Sequence, residues 1–254
     1  MLSFFNKTKT LTVVDIHSHL LPALDDGAID IDNSIELINE LYLLGYRKLI
    51  TTPHINDIFK NSKRDILAKF LFLKEELDRR DIKIDIKIGA EYYIDDYFRR
   101  QLDNEKLLSF GDKNYLLFEF SHFTVPRDIE ELIYDMTLKG YTPVLAHPER
   151  YIYWHNNFHK YTELKEMGVL FQLNLNSLTG YYSKNIKNCA EKLIKKSYIN
   201  FIGSDTHHLK HIESLKKALH LSIYKKIFKY NTILNDTLFV TNPIRSPKLE
   251  LSYF

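Results

Sequence analysis

Leu11-Thr12-Val13-Val14-Asp15-Ile16-His17-Ser18-His19-Leu20-Leu21-Pro22 begins as an apolar run and ends on two histidines one residue apart. The run reads as a strand, Leu11 to His17, with polar chemistry gathered at its C-terminal end. His17 and His19 are two positions apart on extended backbone, so both imidazoles point to one side. Alone, the pair is equally compatible with ordinary hydrogen-bonding histidines. Its weight depends on whether the same pattern returns further along the chain.

It returns repeatedly. Short apolar runs separated by longer amphipathic stretches give further strands at Lys48 to Thr52, Ile84 to Ala90, Tyr115 to Phe120, Pro143 to Ala146, Leu170 to Leu175 and Asn200 to Gly203. Helices are expected at Asp32 to Leu44, Lys63 to Arg80, Arg127 to Lys139, Thr162 to Glu166, Lys184 to Lys196 and Leu209 to His220, with a short one near Asp95 to Leu102. Gly45, Gly140 and Gly168 stand where helices should stop. Seven such units predict an α/β fold with parallel strands, of the barrel kind. The segment after His220 shows no strong pattern. No repeat or linker divides the chain, so one domain is expected over 11–254, after an extension at 1–10 whose apolar patch is too short for a signal core or a membrane span.

In a barrel of parallel strands all C-terminal ends meet on one face, so residues far apart in sequence converge there. His17, His19, His54, Glu91, Glu119, His147, Asp205 and His207 fall at or just after strand ends, and Asp26 lies in the loop after the first strand. Imidazole with carboxylate suits Mn, Fe, Zn or Mg, and no thiolate cluster is present. Four carboxylates and five histidines can hold more than one ion, and clustered ions lower the pKa of bound water enough to supply hydroxide near neutral pH. That chemistry is hydrolysis. Glu119 adds weight, because a carboxylate among Leu116, Leu117, Phe118 and Phe120 is rarely buried without a partner.

Other histidines are discounted: His155, His159, His211 and His220 read as surface or capping groups. His208 beside His207, and Asp15 with the strand parity of His17, remain open as supports for ligand histidines. Tyr92, Tyr93, Phe123, Tyr151, Tyr153, Trp154, Tyr181 and Tyr182 flank the strand-end loops and read as packing rather than as a substrate wall.

Composition removes other chemistries. The 254 residues are 44% hydrophobic and 27% charged, and 35 basic against 33 acidic residues leave +2, no field for nucleic acid or an anionic membrane. The single Cys189 fits a reducing, cytoplasmic setting. A cysteine phosphatase needs arginine six residues after its nucleophile, and here that residue is Lys195, so Cys189 reads as a buried apolar group. Dinucleotide, P-loop and α/β-hydrolase motifs are missing. Arg150, three residues after His147, is the best-placed fork for phosphoryl oxygens.

Asp15-Ile16-His17-Ser18-His19-Leu20-Leu21-Pro22 with Asp25-Asp26-Gly27, Thr52-Pro53-His54, Gly89-Ala90-Glu91, Phe118-Glu119-Phe120, His147-Pro148-Glu149-Arg150 and Gly203-Ser204-Asp205-Thr206-His207 together resemble the PHP (polymerase and histidinol phosphatase) superfamily. Within it the chain is most similar to the bacterial manganese-dependent protein-tyrosine phosphatases of capsule and exopolysaccharide operons, from about Leu11 to His220. The resemblance implies a distorted (β/α)7 TIM-like barrel with up to three divalent ions, manganese foremost. It implies His17, His19, Glu91 and Asp205 around one ion; Glu91, Glu119 and His147 around a second; and Asp26, His54 and His207 around a third. Arg150 would contact phosphate, and His54 is carried both as ligand and, with Arg150, as a catalytic candidate. The implied partner is a phosphotyrosyl protein, a tyrosine kinase of polysaccharide synthesis and export, with self-association also implied. A histidinol-phosphate or other small-molecule phosphatase, and a non-catalytic metal-stabilised binding module, are the alternatives. Many relatives carry another arginine after the last motif, where this chain has His208-Leu209-Lys210-His211, so Lys210 or His211 is expected to replace it.

Overall fold

The structure, a computed structural model, describes residues 11–104 and 106–239; the expected extension at 1–10 lies outside the described residues. In chain order the elements are β1 (Val14–Asp15), α1 (Ile31–Leu43), β2 (Lys48–Thr51), β3 (His54–Ile55), α2 (Lys63–Arg79), β4 (Asp85–Ile88), β5 (Glu91–Tyr93) and α3 (Asp96–Asn104). They continue with β6 (Tyr115–Glu119), α4 (Ile129–Leu138), β7 (Thr142–Ala146), α5 (His159–Glu166), β8 (Leu170–Asn174), α6 (Lys184–Lys195), β9 (Phe201–Gly203), α7 (Leu209–His220) and α8 (Ser222–Tyr230).

All described strand pairs are parallel, in a three-stranded sheet β1-β2-β4 and a six-stranded sheet β3-β5-β6-β7-β8-β9. The frame is an α/β fold with a barrel-like course of strands, not one uninterrupted sheet. The break has a local cause. Pro53 has no N–H to donate and separates β2 from β3, while Gly89 and Ala90 separate β4 from β5. Single backbone bonds span the break, Gly89 N–H to Thr51 O at 2.9 Å and Glu91 N–H to Pro53 O at 3.0 Å. At the other edge Asp205 N–H donates to His17 O at 2.8 Å and His19 N–H to Thr206 O at 2.9 Å.

Side-chain alternation separates two cores. On β6, Leu116 and Phe118 join the large cluster under the helices, whereas Leu117 faces an inner cluster with Val14, Ile16, Val144, Ala146 and Phe201. Glu119 shares the parity of Leu117, so the strand delivers its carboxylate inward. Leu238 and Phe239 join that inner cluster, and Asn235 ties β1 to β9 by donating to Val14 O and Ile202 O at 3.0 and 2.7 Å.

Two expectations are corrected. The first strand is only Val14–Asp15, because Leu11 and Val13 are solvent-exposed and Ile16 to His19 bond singly to both neighbours rather than forming a ladder. The patternless segment after His220 contains α8, which buries Ile223, Tyr224 and Ile227 at helical spacing. Helix starts follow local chemistry: Asp30 accepts from Asn33 N–H at α1, and Ser62 with Asp65 makes a capping box at α2. No helix among the described residues is long and apolar enough to cross a membrane.

Candidate metal centre

Glu91, the first residue of β5, is fully buried and central. Its Oε2 lies 3.1 Å from His17 Nε2, 3.3 Å from His19 Nε2 and 3.2 Å from His54 Nδ1, and its Oε1 lies 3.0 Å from His147 Nε2. Asp205 Oδ1 reaches His17 and His19 at 3.5 and 3.6 Å. Glu119 stands 3.7 Å from His147 and 3.4 Å from His54. Asp26 bridges outward to His54 and His207 at 3.5 and 3.4 Å, and its side chain is 57% exposed, which makes this the solvent-facing edge. All nine expected residues therefore converge. A cavity of about 400 Å³ opens over all of them but His17 and His19, lined also by Phe59, Tyr93, Arg150 and Tyr182.

The imidazoles are aimed by partners on their far sides. His17 Nδ1 donates to Gln172 Oε1 at 2.7 Å, His19 Nδ1 to Asp25 Oδ2 at 2.8 Å, and His207 Nδ1 to the Asp205 carbonyl at 3.1 Å. Each bond fixes a proton on Nδ1, so that an ion among the carboxylates would meet the Nε2 of each ring, as a metal-ligating histidine requires.

The electrostatics ask for added positive charge. Burial alone would raise the Glu91 carboxyl, but His17, His54 and His147 outweigh it and hold it well below the usual range. Burial and then Glu91 push the neighbouring Glu119 well up. One carboxylate is thus ionised at the expense of the next, the situation a shared cation relieves. Burial, then Arg150, pushes His147 down to about 4, so its neutral form can ligate. Ligand atoms fall into sets within 4.8 Å of one another: His19, Asp26, His54 and His207; His17, His19 and Asp205; His17, Glu91 and His147; His54, Glu91 and Glu119; Glu119, His122 and His147. Buried imidazole nitrogens without a hydrogen-bond partner remain at His54 Nδ1, His147 Nδ1 and His122 Nε2. The residues present fit divalent ions.

Arg150 ends a single 3-10 turn, Pro148–Arg150, that follows β7. Its Nη1 donates to Asp205 Oδ2 at 3.2 Å and its guanidinium covers Tyr182 at 4.6 Å, so the fork is held at the cavity wall.

Several residues depart from expectation. His211 is buried, not a surface group: it lines the cavity and its Nδ1 donates to the Asp205 carbonyl at 2.8 Å. It takes this place because the first turn of α7 packs against the ligand loop. Lys210 is exposed and does not line the cavity. His208 is exposed and rests on His211, with ring centres 4.0 Å apart. Asp15 touches no imidazole but binds Ser204 N–H at 2.9 Å, pinning β9 to β1. Tyr92, Tyr151 and Trp154 are buried packing groups, as expected, whereas Tyr93 and Tyr182 do line the cavity. Cys189 is buried on α6, its thiol pushed up to about 12 by burial.

His122, Gln172, Asn174 and Asp25 were not expected at the centre; Asn174 Nδ2 donates to Asp205 Oδ2 at 2.7 Å. Asp25 was marked by its place in Asp25-Asp26-Gly27. Gln172 and Asn174 were marked by polar residues alternating along an otherwise apolar β8.

Metal-dependent hydrolases are the class in which a buried centre of carboxylates and imidazoles sits at the C-terminal ends of parallel strands. The chain belongs to the capsular polysaccharide synthesis family CpsB/CapC, whose family model matches residues 13–246. It is 38% identical over 199 residues to tyrosine-protein phosphatase YwqE of Bacillus subtilis, covering 78% of each chain. It is 30% identical over 237 residues to tyrosine-protein phosphatase CpsB of Streptococcus pneumoniae, covering 91% of this chain and 96% of that one. Among solved structures it matches one described with YwqE and CpsB as unique metal-dependent tyrosine phosphatases, with TM-score 0.77, 34% identity, and 88% and 94% coverage. Histidinol phosphate phosphatase of Lactococcus lactis shares the fold at TM-score 0.50 and 16% identity, with 81% and 93% coverage.

Proposed function

We propose that the chain is a metal-dependent protein-tyrosine phosphatase, a reading carried by the placement of Glu91 within 3.3 Å of four imidazoles beside an arginine fork. It agrees with what the related phosphatases are named for. His17, His19, Glu91 and Asp205 would hold one ion; Glu91, Glu119 and His147 a second; Asp26, His54 and His207 a third, with manganese as the first candidate. Divalent ions there supply positive charge to phosphoryl oxygens and lower the pKa of water.

The chain's own groups do the rest. Arg150 offers two parallel N–H donors to non-bridging oxygens, and its contacts with Asp205 and Tyr182 hold it ready before substrate arrives. Phe59, Tyr93 and Tyr182 give the cavity an aromatic wall for a tyrosyl ring. Hydrolysis forms one P–O bond from water and breaks the P–O bond to the phenol, and the proton released by water ends on the departing oxygen. A phenolate, with pKa about 10, leaves with little help from a general acid.

The same reading takes residues 11–254 as one phosphatase domain and the strand course as a distorted (β/α)7 barrel, supported by the bonds from Asp205 to His17 and from His19 to Thr206. The substrate is a phosphotyrosyl protein, a cytoplasmic kinase of polysaccharide synthesis being the first candidate, and the enzyme self-associates. Purified protein loaded with manganese should cleave a phosphotyrosyl peptide with far higher kcat/KM than histidinol phosphate. The reverse preference would make it a small-molecule phosphatase, and no cleavage of either would leave a binding module.

A further inference from the structure

Three residues after Glu119, the chain leaves β6 and places His122 on the cavity wall. Its ring stacks on Tyr151 at 5.7 Å with an interplanar angle of 22°, and tilts against His147 at 5.4 Å. Tyr151 is itself fixed, since its hydroxyl donates to Ala146 O and accepts from Phe120 N–H, both at 3.1 Å. Packing therefore sets the His122 ring, yet its Nε2 is buried with no hydrogen-bond partner. Leaving such a buried nitrogen without a partner is unfavourable. A ring nitrogen of His122 also lies within 4.8 Å of ligand atoms of Glu119 and His147, so a single partner at this place must suit a carboxylate and two imidazoles. A divalent cation satisfies all three, whereas Arg150, on the same cavity wall, donates to Asp205.

We propose that His122 is a further protein ligand of the ion held by Glu91, Glu119 and His147. The inference rests on the metal-dependent reading above. It gives that ion two imidazoles and two carboxylates, the same donor set as the ion held by His17, His19, Glu91 and Asp205, and contrasts it with the set around Asp26, which lies at the open edge.

The test is metal binding, not activity. Chelator-stripped wild type and His122→Phe, which keeps a ring on Tyr151 but has no nitrogen, are titrated with manganese by equilibrium dialysis with metal counting. Circular dichroism checks their folding. The expected result is one ion fewer per chain for His122→Phe at the free manganese that just fills the wild type, or that ion bound about ten-fold or more weakly. A shifted d–d absorption in cobalt-loaded His122→Phe is expected alongside. If the phenyl variant does not fold, His122→Ala is read by the same two measurements. Equal stoichiometry and affinity in wild type and variant would overturn the role of His122 alone. A wild type that binds no ion would overturn it together with the metal-dependent function.

Discussion

His147 and Asp205 both hold left-handed backbone, at φ +34° and +51°, at the ends of β7 and β9. Such angles are uncommon outside glycine, and here they turn two side chains from the strand direction into the centre. The space around them is equally constrained. A Cβ at Gly203 would lie 2.7 Å from His17 Cβ and 2.7 Å from Gln172 Nε2. Gly203→Ala must displace either a ligand or the group that orients it, so we expect about 1–3 kcal/mol of destabilisation by denaturant titration and weakened metal binding. Wild-type stability and metal content in that variant would refute the tight contact. Arg150→Ala should lower kcat/KM for a phosphotyrosyl peptide by roughly 10²–10³-fold while metal content stays the same. Loss of metal instead would assign Arg150 to holding Asp205. Most candidate ligands were legible in the sequence because they fall at or just after the ends of its apolar runs, Asp26 lying in the loop after the first. His122, Gln172 and His211 were not, because their role depends on which neighbour's ring or carbonyl packing sets beside them.

At the scale of elements, helices with a clear apolar stripe were readable to within a few residues, as α2 with its capping box and the uncapped α7 both show. The helix α8 escaped because only nine residues carry its pattern and exposed Lys225, Lys226 and Lys229 dominate the composition. Its burial of Ile227 predicts that Ile227→Ala costs roughly 2–5 kcal/mol, measurable by chemical unfolding; a change near zero would mean α8 is not docked. The short turn after β7 makes a pH prediction. Glu149 is buried, with Oε1 accepting from Asn174 N–H at 3.0 Å and from Ser177 Oγ at 2.6 Å while Oε2 has no partner, and burial pushes its carboxyl up to about 7. Between its ordinary 4.5 and about 7 the unfolded chain releases this proton and the folded chain keeps it. Stability therefore falls as pH rises through that window and is level above it, by roughly 3 kcal/mol in all. Glu149→Gln should flatten the fall, and an unchanged pH–stability curve would contradict it.

Across the whole molecule, the parallel order of strands was readable from seven apolar runs, but the division into two sheets was not. It depends on Pro53, which reads as an ordinary loop residue, and on the pause at Gly89-Ala90, which the sequence places inside the expected strand Ile84 to Ala90. These interruptions fall where β3 and β5 restart with His54 and Glu91, so the irregularity and the candidate centre coincide. Each restart sets a ligand at the beginning of a new short strand. Glu91 is the hub of the arrangement, and ions gathered around it would make the chain a phosphatase. The most direct measurement is the initial rate of phosphate release from a phosphotyrosyl peptide by chelator-stripped protein, before and after manganese is restored, in wild type and in Glu91→Gln. Background rates are expected for both stripped proteins, with recovery of the wild type on adding manganese and no recovery of Glu91→Gln. Undiminished hydrolysis by the stripped wild type, or full recovery of Glu91→Gln, would contradict this.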